Sequence, residues 1–459
     1  MSFKEVWNMI LIFLVALVSC DCARIYFSKC GIGGFSCVQD NGKIRIAYTC
    51  PSNENDITFY LWQFRAPVNT ESVMIRNCSN LRLSFQCVSD NRPINQLHVI
   101  NITNVFIVKS TFTHNPVTII FENIADLEYI PENTFSQIKR RLPLPGCFNP
   151  ARDFQNLLFK NINIGTVAPK AFNDLKDFYN LTWNKVKVKR LQHLAVEVAF
   201  NKSGNFSIRQ SYIEVCEHLA FKITGIQAVF VENKFIDIFS GAINGTIGNF
   251  VFSMNSVNNL QSYGISILAE NVEISYNHFE YIRASAFERI SPGLLQNSQR
   301  NFGSLKFIYE FNHNFINFMD AASLNPDMQA YDNVATELKF HHNAFFCSCE
   351  NLGWIFSSIG YGYNTALLGE FYGTIAEEEY KNTCSYTSCD LPLYAAQKLI
   401  ENGKCIDNDT AEILCQVKNK FKTNDRQTSL QKKSEGNTNT LPNILSKILI
   451  ILSVIVCNI

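Results

Sequence analysis

The chain has 459 residues, with 40 Lys and Arg against 40 Asp and Glu, so it lacks the basic balance that nucleic-acid binding demands. Charged residues make up only 17%, compared with about 25% in ordinary domains, while 37 Phe and 16 Cys point to a large apolar core in an oxidising setting. Length alone does not require several globular domains, because a repeat array can grow without limit.

Residues 1–23 read as a secretory signal peptide: Lys4 is followed by the apolar run 9–18 and small residues at 19–23. That run is too short to cross a hydrocarbon core of about 30 Å. Secretion gives meaning to seven Asn-x-Ser/Thr triplets, at Asn77, Asn101, Asn180, Asn201, Asn205, Asn244 and Asn408, as glycosylation sites. The cysteines gather at both ends. Cys30, Cys37, Cys50, Cys78 and Cys87 lie in residues 24–95, which are expected to form an N-terminal cap. Cys347, Cys349, Cys384, Cys389, Cys405 and Cys415 lie near the other end, with Cys147 and Cys216 between. Disulfides are the expectation for these two groups, with the connectivity left open. Zinc at Cys347 and Cys349 is not expected, since it would need further ligands and reduced thiols.

The middle of the chain repeats. Asn233, Asn255 and Asn277 recur 22 residues apart, each preceded by alternating apolar residues such as Phe230 or Ile274. The same frame is expected to hold Asn161 and Asn184, with Asn123, Asn314 and Asn343 as weaker members and Ser211 in the slot before Asn233. An inward amide that both donates and accepts bridges turn groups from one repeat to the next, groups that cost about 1–3 kcal/mol each when left buried and unpaired. No repeat buries its own apolar face, so stability is shared between neighbours.

The pattern resembles the extracellular leucine-rich-repeat family, with Phe, Ile and Val often in place of Leu. Ala171-Phe172, Ala286-Phe287 and Thr134-Phe135 match the family's repeat ending, and Cys347, Cys349 and Trp354 match the opening of its C-terminal cysteine cap. The resemblance implies an α/β solenoid, a parallel-sheet coil with disulfide-capped ends. Its repeats would occupy 96–345 and its C-terminal cap 346–415. A polar stalk then spans 416–443, and the apolar residues 444–459 resemble a glycosylphosphatidylinositol signal. Lipid attachment is expected at Ser434, with Gly436 and Asn437 as alternatives.

The resemblance further implies binding on the concave sheet face, through residues that alternate with the buried ones. Counted back from each Asn, these are Trp183, Arg209, Gln210, Glu232, Tyr276, His313, His341 and His342, with Lys160, Val231, Ser253, Met254 and Asn312 beside them. A glycan on Asn180 would cover part of this face. His313, His341 and His342 fall close enough to bind a metal or sense pH, but no supporting carboxylate is evident, so no metal is expected. Glu273 and Glu310 share one strand slot on consecutive repeats, about 4.7–4.9 Å apart, near the separation that retaining glycosidases use. A ladder of like residues needs no catalysis, so the expectation is a non-enzyme without a cofactor. It is a cell-surface recognition or adhesion protein with an extracellular protein ligand or co-receptor, on the outer face of the plasma membrane or secreted. The alternatives are a carbohydrate-active parallel β-helix enzyme and a structural matrix component.

Overall fold

The computed structural model describes residues 23–24, 30–31, 34–51, 56–60, 69–84, 95–109, 112, 117–136, 155–294, 306–331, 333–346, 381–385 and 390–393. These residues form a β-solenoid of stacked parallel strands. One turn of the coil runs through strand Phe221–Val231, a bend, strand Lys234–Ile238 and a second bend. The next turn repeats it as Ile243–Ser253 and Ser256–Leu260, and the following one as Ile265–Ser275 and His278–Ile282. Residues 22 apart are hydrogen-bonded neighbours, as in Phe221, Ile243 and Ile265.

Period-2 alternation decides which side chains enter the coil. Phe250, Phe252, Val272 and Ile274 are buried, while Val251 and Glu273 between them are not. The aromatic residues stack along the axis. Phe235, Phe252, Phe279, Phe311 and Phe340 form a continuous series with centroids 5.7, 6.4, 6.3 and 5.1 Å apart. The Ala-Phe endings mark a buried corner, where Ala171, Phe172, Ala286 and Phe287 are fully enclosed.

Both bends pass through the left-handed region. The first places Asn77, Asn101, Asn123, Asn161, Lys185, Gln210, Glu232, Met254, Tyr276, His313, His342 and Lys381 at φ between 50° and 59°. Strand register aligns them in one exposed column, because their preceding residues pair from rung to rung. The second bend uses Leu219, Gly241, Tyr263, Ser285 and Ala322 in the same way.

From Ser211 onward, the residue after each left-handed position of the first bend points inward, and its N–H has turned away from the strand ladder. Asn233 N donates instead to Asn255 Oδ1 at 2.9 Å, and Asn233 Nδ2 reaches the same oxygen at 3.0 Å. Asn255 Nδ2 donates back to Phe230 O at 2.9 Å and on to Asn277 Oδ1 at 3.1 Å. The arrangement repeats through Asn277, Asn314, Asn343 and Asn382, and it begins where Val186 N donates to Ser211 Oγ and Ser211 N to Asn233 Oδ1. Each amide therefore satisfies buried groups on two neighbouring rungs.

Three expected members, Asn123, Asn161 and Asn184, stand elsewhere. Asn161 occupies the left-handed position itself, one residue before the inward slot, which Ile162 fills. Its amide donates to Asn123 Oδ1 at 2.9 Å, and Asn123 donates to Asn101 at 3.0 Å, in an exposed row. Asn184 lies one residue before left-handed Lys185, so Val186 holds the inward slot. In the first rungs the slot is apolar, and long strands such as Gln96–Ile107 and Asn156–Val167 run through the bend.

The helix-poor solenoid fits poorly with the expected α/β coil. Among the described residues the only helix is Met328–Tyr331, four residues long. A 22-residue turn that devotes 11 and 5 residues to strands, plus two bends, leaves no length for one. Parallel pairing also reaches past the expected repeat limits. Lys43–Thr49 pairs with Thr70–Arg76, and Thr383–Ser385 pairs with Ala344–Phe346. Disulfides join Cys30 to Cys37 and Cys50 to Cys78, and Cys384 is also disulfide-bonded. Cys216 is a buried free thiol whose pKa is raised, first by burial and then by Asp237. Cys87, Cys347, Cys349, Cys389, Cys405, Cys415, Asn408, Ser434 and the apolar residues 444–459 lie outside the described residues.

Removing one rung of the ladder tests this bonding scheme. Asn255→Ala should destabilise the protein by at least about 2 kcal/mol in denaturant unfolding, since it strands both Asn233 N and Phe230 O. Exposed Asn249→Ala should change stability by less than about 0.5 kcal/mol.

Candidate binding face

The outward side of the long strands and the left-handed column beside them form one continuous surface. On it the expected residues divide. Arg209 and Gln210 are exposed, with Arg209 Nε donating to Ser207 Oγ at 3.1 Å and Gln210 Nε2 donating to Glu232 Oε2 at 2.7 Å. Glu232 is exposed on the next rung. Met254 and Tyr276 follow in the same column, 53% and 54% exposed. Tyr276 stacks on His313 with centroids 4.5 Å apart, and His313 stacks on His342 at 4.7 Å with rings 2° from parallel. The column is thus amide-rich in its first four rungs, polar or charged in the middle, and apolar to aromatic from Met254 to His342.

Trp183 does not belong to this face. Its side chain is 0% exposed and packs against Phe159, Phe172 and Phe221. Register explains the correction. Trp183 pairs with Ile208, which pairs with Phe230, so it fills the core column rather than the outward one. Its indole Nε1 has no hydrogen-bond partner among the described residues.

Beside the column lies a polar network. Glu273 and Glu310 are direct register partners, and each accepts from the residue two places on. Ser275 Oγ donates to Glu273 Oε1 at 2.6 Å and shares a hydrogen bond with Ser253 Oγ at 2.9 Å. Asn312 Nδ2 donates to Glu310 Oε1, while Asn312 Oδ1 lies 3.1 Å from His313 Nδ1. His341 Nε2 sits 3.5 Å from Glu310 Oε1, so the histidines do have a supporting carboxylate, contrary to expectation. Ser253, Ser275 and Asn312 are buried within this network, not free on the surface.

The three imidazoles share a direction of perturbation. Burial comes first in each case and lowers the pKa. His341 adds to this at His313, His342 and Lys339 at His341, and His313 and Lys381 at His342, with Glu310 opposing at His313 and His341. A shallow depression lined by Arg45, Glu71, Met74, Gln96 and Thr118 occupies the N-terminal rungs and contains none of these residues. Its carboxylate Glu71 is already bonded by Lys43 and Arg45.

Of the glycosylation triplets, Asn77, Asn101 and Asn180 are exposed, while Asn205 and Asn244 are half-buried. The Asn201 side chain lies outside the described residues. Sequence reading missed Asn382, which extends the inward ladder beyond Asn343. The local run Asn382-Thr-Cys384 carries the same Asn-x-core spacing as Asn343-Ala-Phe345 and was the available signal.

No known protein-family profile matches the chain, and no curated protein matches it in sequence.

The lowered imidazole pKa values set a pH dependence. The folded state binds protons more weakly than the unfolded one, so stability is complete above the ordinary value of 6.5 and falls as pH drops below it. NMR titration should place all three histidines below that value. Glu310→Gln should lower His341 further, because it removes a charge that favours the imidazolium.

Proposed function

We propose that this protein recognises an extracellular protein through the exposed left-handed column and the adjoining sheet face, acting as a non-catalytic recognition or adhesion module of leucine-rich-repeat type. One observation carries the reading. At a left-handed position Asn is the low-strain choice, and other side-chain-bearing residues cost about 1–2 kcal/mol there. Asn77, Asn101, Asn123 and Asn161 follow that rule, whereas every later rung of the column from Lys185 to Lys381 departs from it, and Met254, Tyr276, His313 and His342 make four successive departing rungs apolar or aromatic. Strained large side chains gathered on one exposed strip suit a contact surface better than a frame. Tyr and Arg are also the residue types that dominate binding energy in protein interfaces, which favours Tyr276 and Arg209.

The glycosylation triplets and disulfides support an extracellular setting. Lipid attachment near Ser434 belongs to the same proposal, with the polar residues 416–443 serving as a stalk. A catalytic reading of Glu273 and Glu310 is less favoured, because Ser275 and Asn312 already engage both carboxylates on an open sheet face.

Screening the full chain against extracellular proteins identifies the partner. Tyr276→Asn should then weaken binding by about thirtyfold, equivalent to about 2 kcal/mol, while stability changes by less than about 1 kcal/mol. Phe239→Ala, at an exposed ring on the other bend, should leave affinity unchanged. A greater loss from Phe239→Ala than from Tyr276→Asn would place the contact on a different surface.

A further inference from the structure

The histidine cluster at the end of the column offers chemistry that ring stacking does not use. We propose that His313, His341 and His342 form a surface site for one divalent transition-metal ion of the zinc class, with Glu310 and Asn312 orienting the imidazoles. One ligand nitrogen from each ring lies within 4.8 Å of the other two. Nitrogens around a tetrahedral zinc ion are about 3.3 Å apart, so modest ring rotations close the set.

Hydrogen bonds determine which nitrogens are free. Asn312 Nδ2 donates to the Glu310 carboxylate, which fixes the amide and leaves Asn312 Oδ1 an acceptor. His313 Nδ1, 3.1 Å from that oxygen, therefore carries the proton, and His313 Nε2 keeps its lone pair. The ion-pair contact of Glu310 Oε1 with His341 Nε2 at 3.5 Å favours the tautomer protonated there, with Nδ1 unprotonated. That Nδ1 faces His342 Nδ1 at 2.8 Å. Two imidazole nitrogens face each other favourably only with a proton or a metal ion between them. Glu310 thus stands to His341 as the outer carboxylate does in many carboxylate–histidine–zinc arrangements.

The surroundings agree. The three rings lie together on adjoining rungs, with one ligand nitrogen of each within 4.8 Å of the others. Inward Asn314 and Asn343 follow His313 and His342 directly and are bonded on both sides, so two ligands stand on the firmest part of the frame. Three imidazoles suit zinc, copper(II) or nickel(II) and disfavour calcium and magnesium, which require oxygen ligands. His313 and His342 are exposed, which leaves a fourth position open to water or to a donor from another protein.

Metal binding is measured without any partner, so its outcome is independent of the recognition reading. The full chain, stripped with a chelator, is titrated with Zn²⁺ against a chromophoric competitor at near-neutral pH. One equivalent should bind. His313→Asn, His341→Ala and His342→Asn should each weaken it by at least about tenfold, and Glu310→Gln by about tenfold. Asn at positions 313 and 342 suits the left-handed backbone, so loss in those variants reports ligation and not unfolding. His278→Ala should bind as the unmodified chain does, and excess Ca²⁺ should not compete. Undiminished affinity in the three histidine variants, or no stoichiometric zinc in the unmodified chain, would overturn the proposal.

Discussion

A chain that coils upon itself every 22 residues must bend twice per turn, and each bend removes backbone groups from the strand ladder while keeping them inside the molecule. At the first bend, from Ser211 onward, the inward side chain of the next rung answers this constraint. The Asn255 amide receives Asn233 N and returns a bond to Phe230 O, and the same exchange continues to Asn382. Leaving such groups unpaired would cost about 1–3 kcal/mol each, a large share of the net stability of any domain. The bend also requires a left-handed residue just before the inward amide. The ladder and the exposed column are therefore two sides of one turn, and the ladder supplies the rigidity on which the column's side chains are displayed.

The two halves of the solenoid answer the bend differently. In the first rungs Ile102, Ile124, Ile162 and Val186 fill the inward slot, and the outward left-handed Asn residues bond to one another. In the later rungs the amide is inside, which frees the left-handed position for Met254, Tyr276, His313 and His342. Moving the Asn from outside to inside is thus what makes the column available for contact chemistry. The pre-oriented imidazoles at its end follow from the same geometry, because His313 and His342 are held in one register column by the amides behind them.

Much of this was legible in the amino-acid pattern, and each failure has a physical cause. The 22-residue recurrence of Asn233, Asn255 and Asn277 correctly marked the inward slot, and the outward placement of Tyr276, His313 and His342 followed from it. Asn161 misled because Asn satisfies buried groups when inward and tolerates left-handed backbone when outward, and spacing alone does not separate the two. Counting three residues on from the last core residue of the strand does separate them: Phe230 leads to Asn233, whereas Phe159 leads to Ile162. Asn184 serves neither purpose, since it sits one residue before left-handed Lys185. The wrong frame at Asn184 turned Trp183 outward, while register places it in the core. Glu310 lay beyond sequence reasoning as a partner for His341, because their contact crosses between rungs. The α/β coil implied by the family resemblance fits poorly because a 22-residue turn leaves little length for a helix.

Peptide-resolved hydrogen exchange tests the inward ladder most directly, since the amide protons of Asn233, Asn255, Asn277, Asn314 and Asn343 are bonded by side chains and not by the strand ladder. If those side chains hold the solenoid, these protons exchange only through global opening, as slowly as those of the flanking strands. Exchange at the rate of an exposed loop, with the flanking strands still protected, would contradict an amide-held bend.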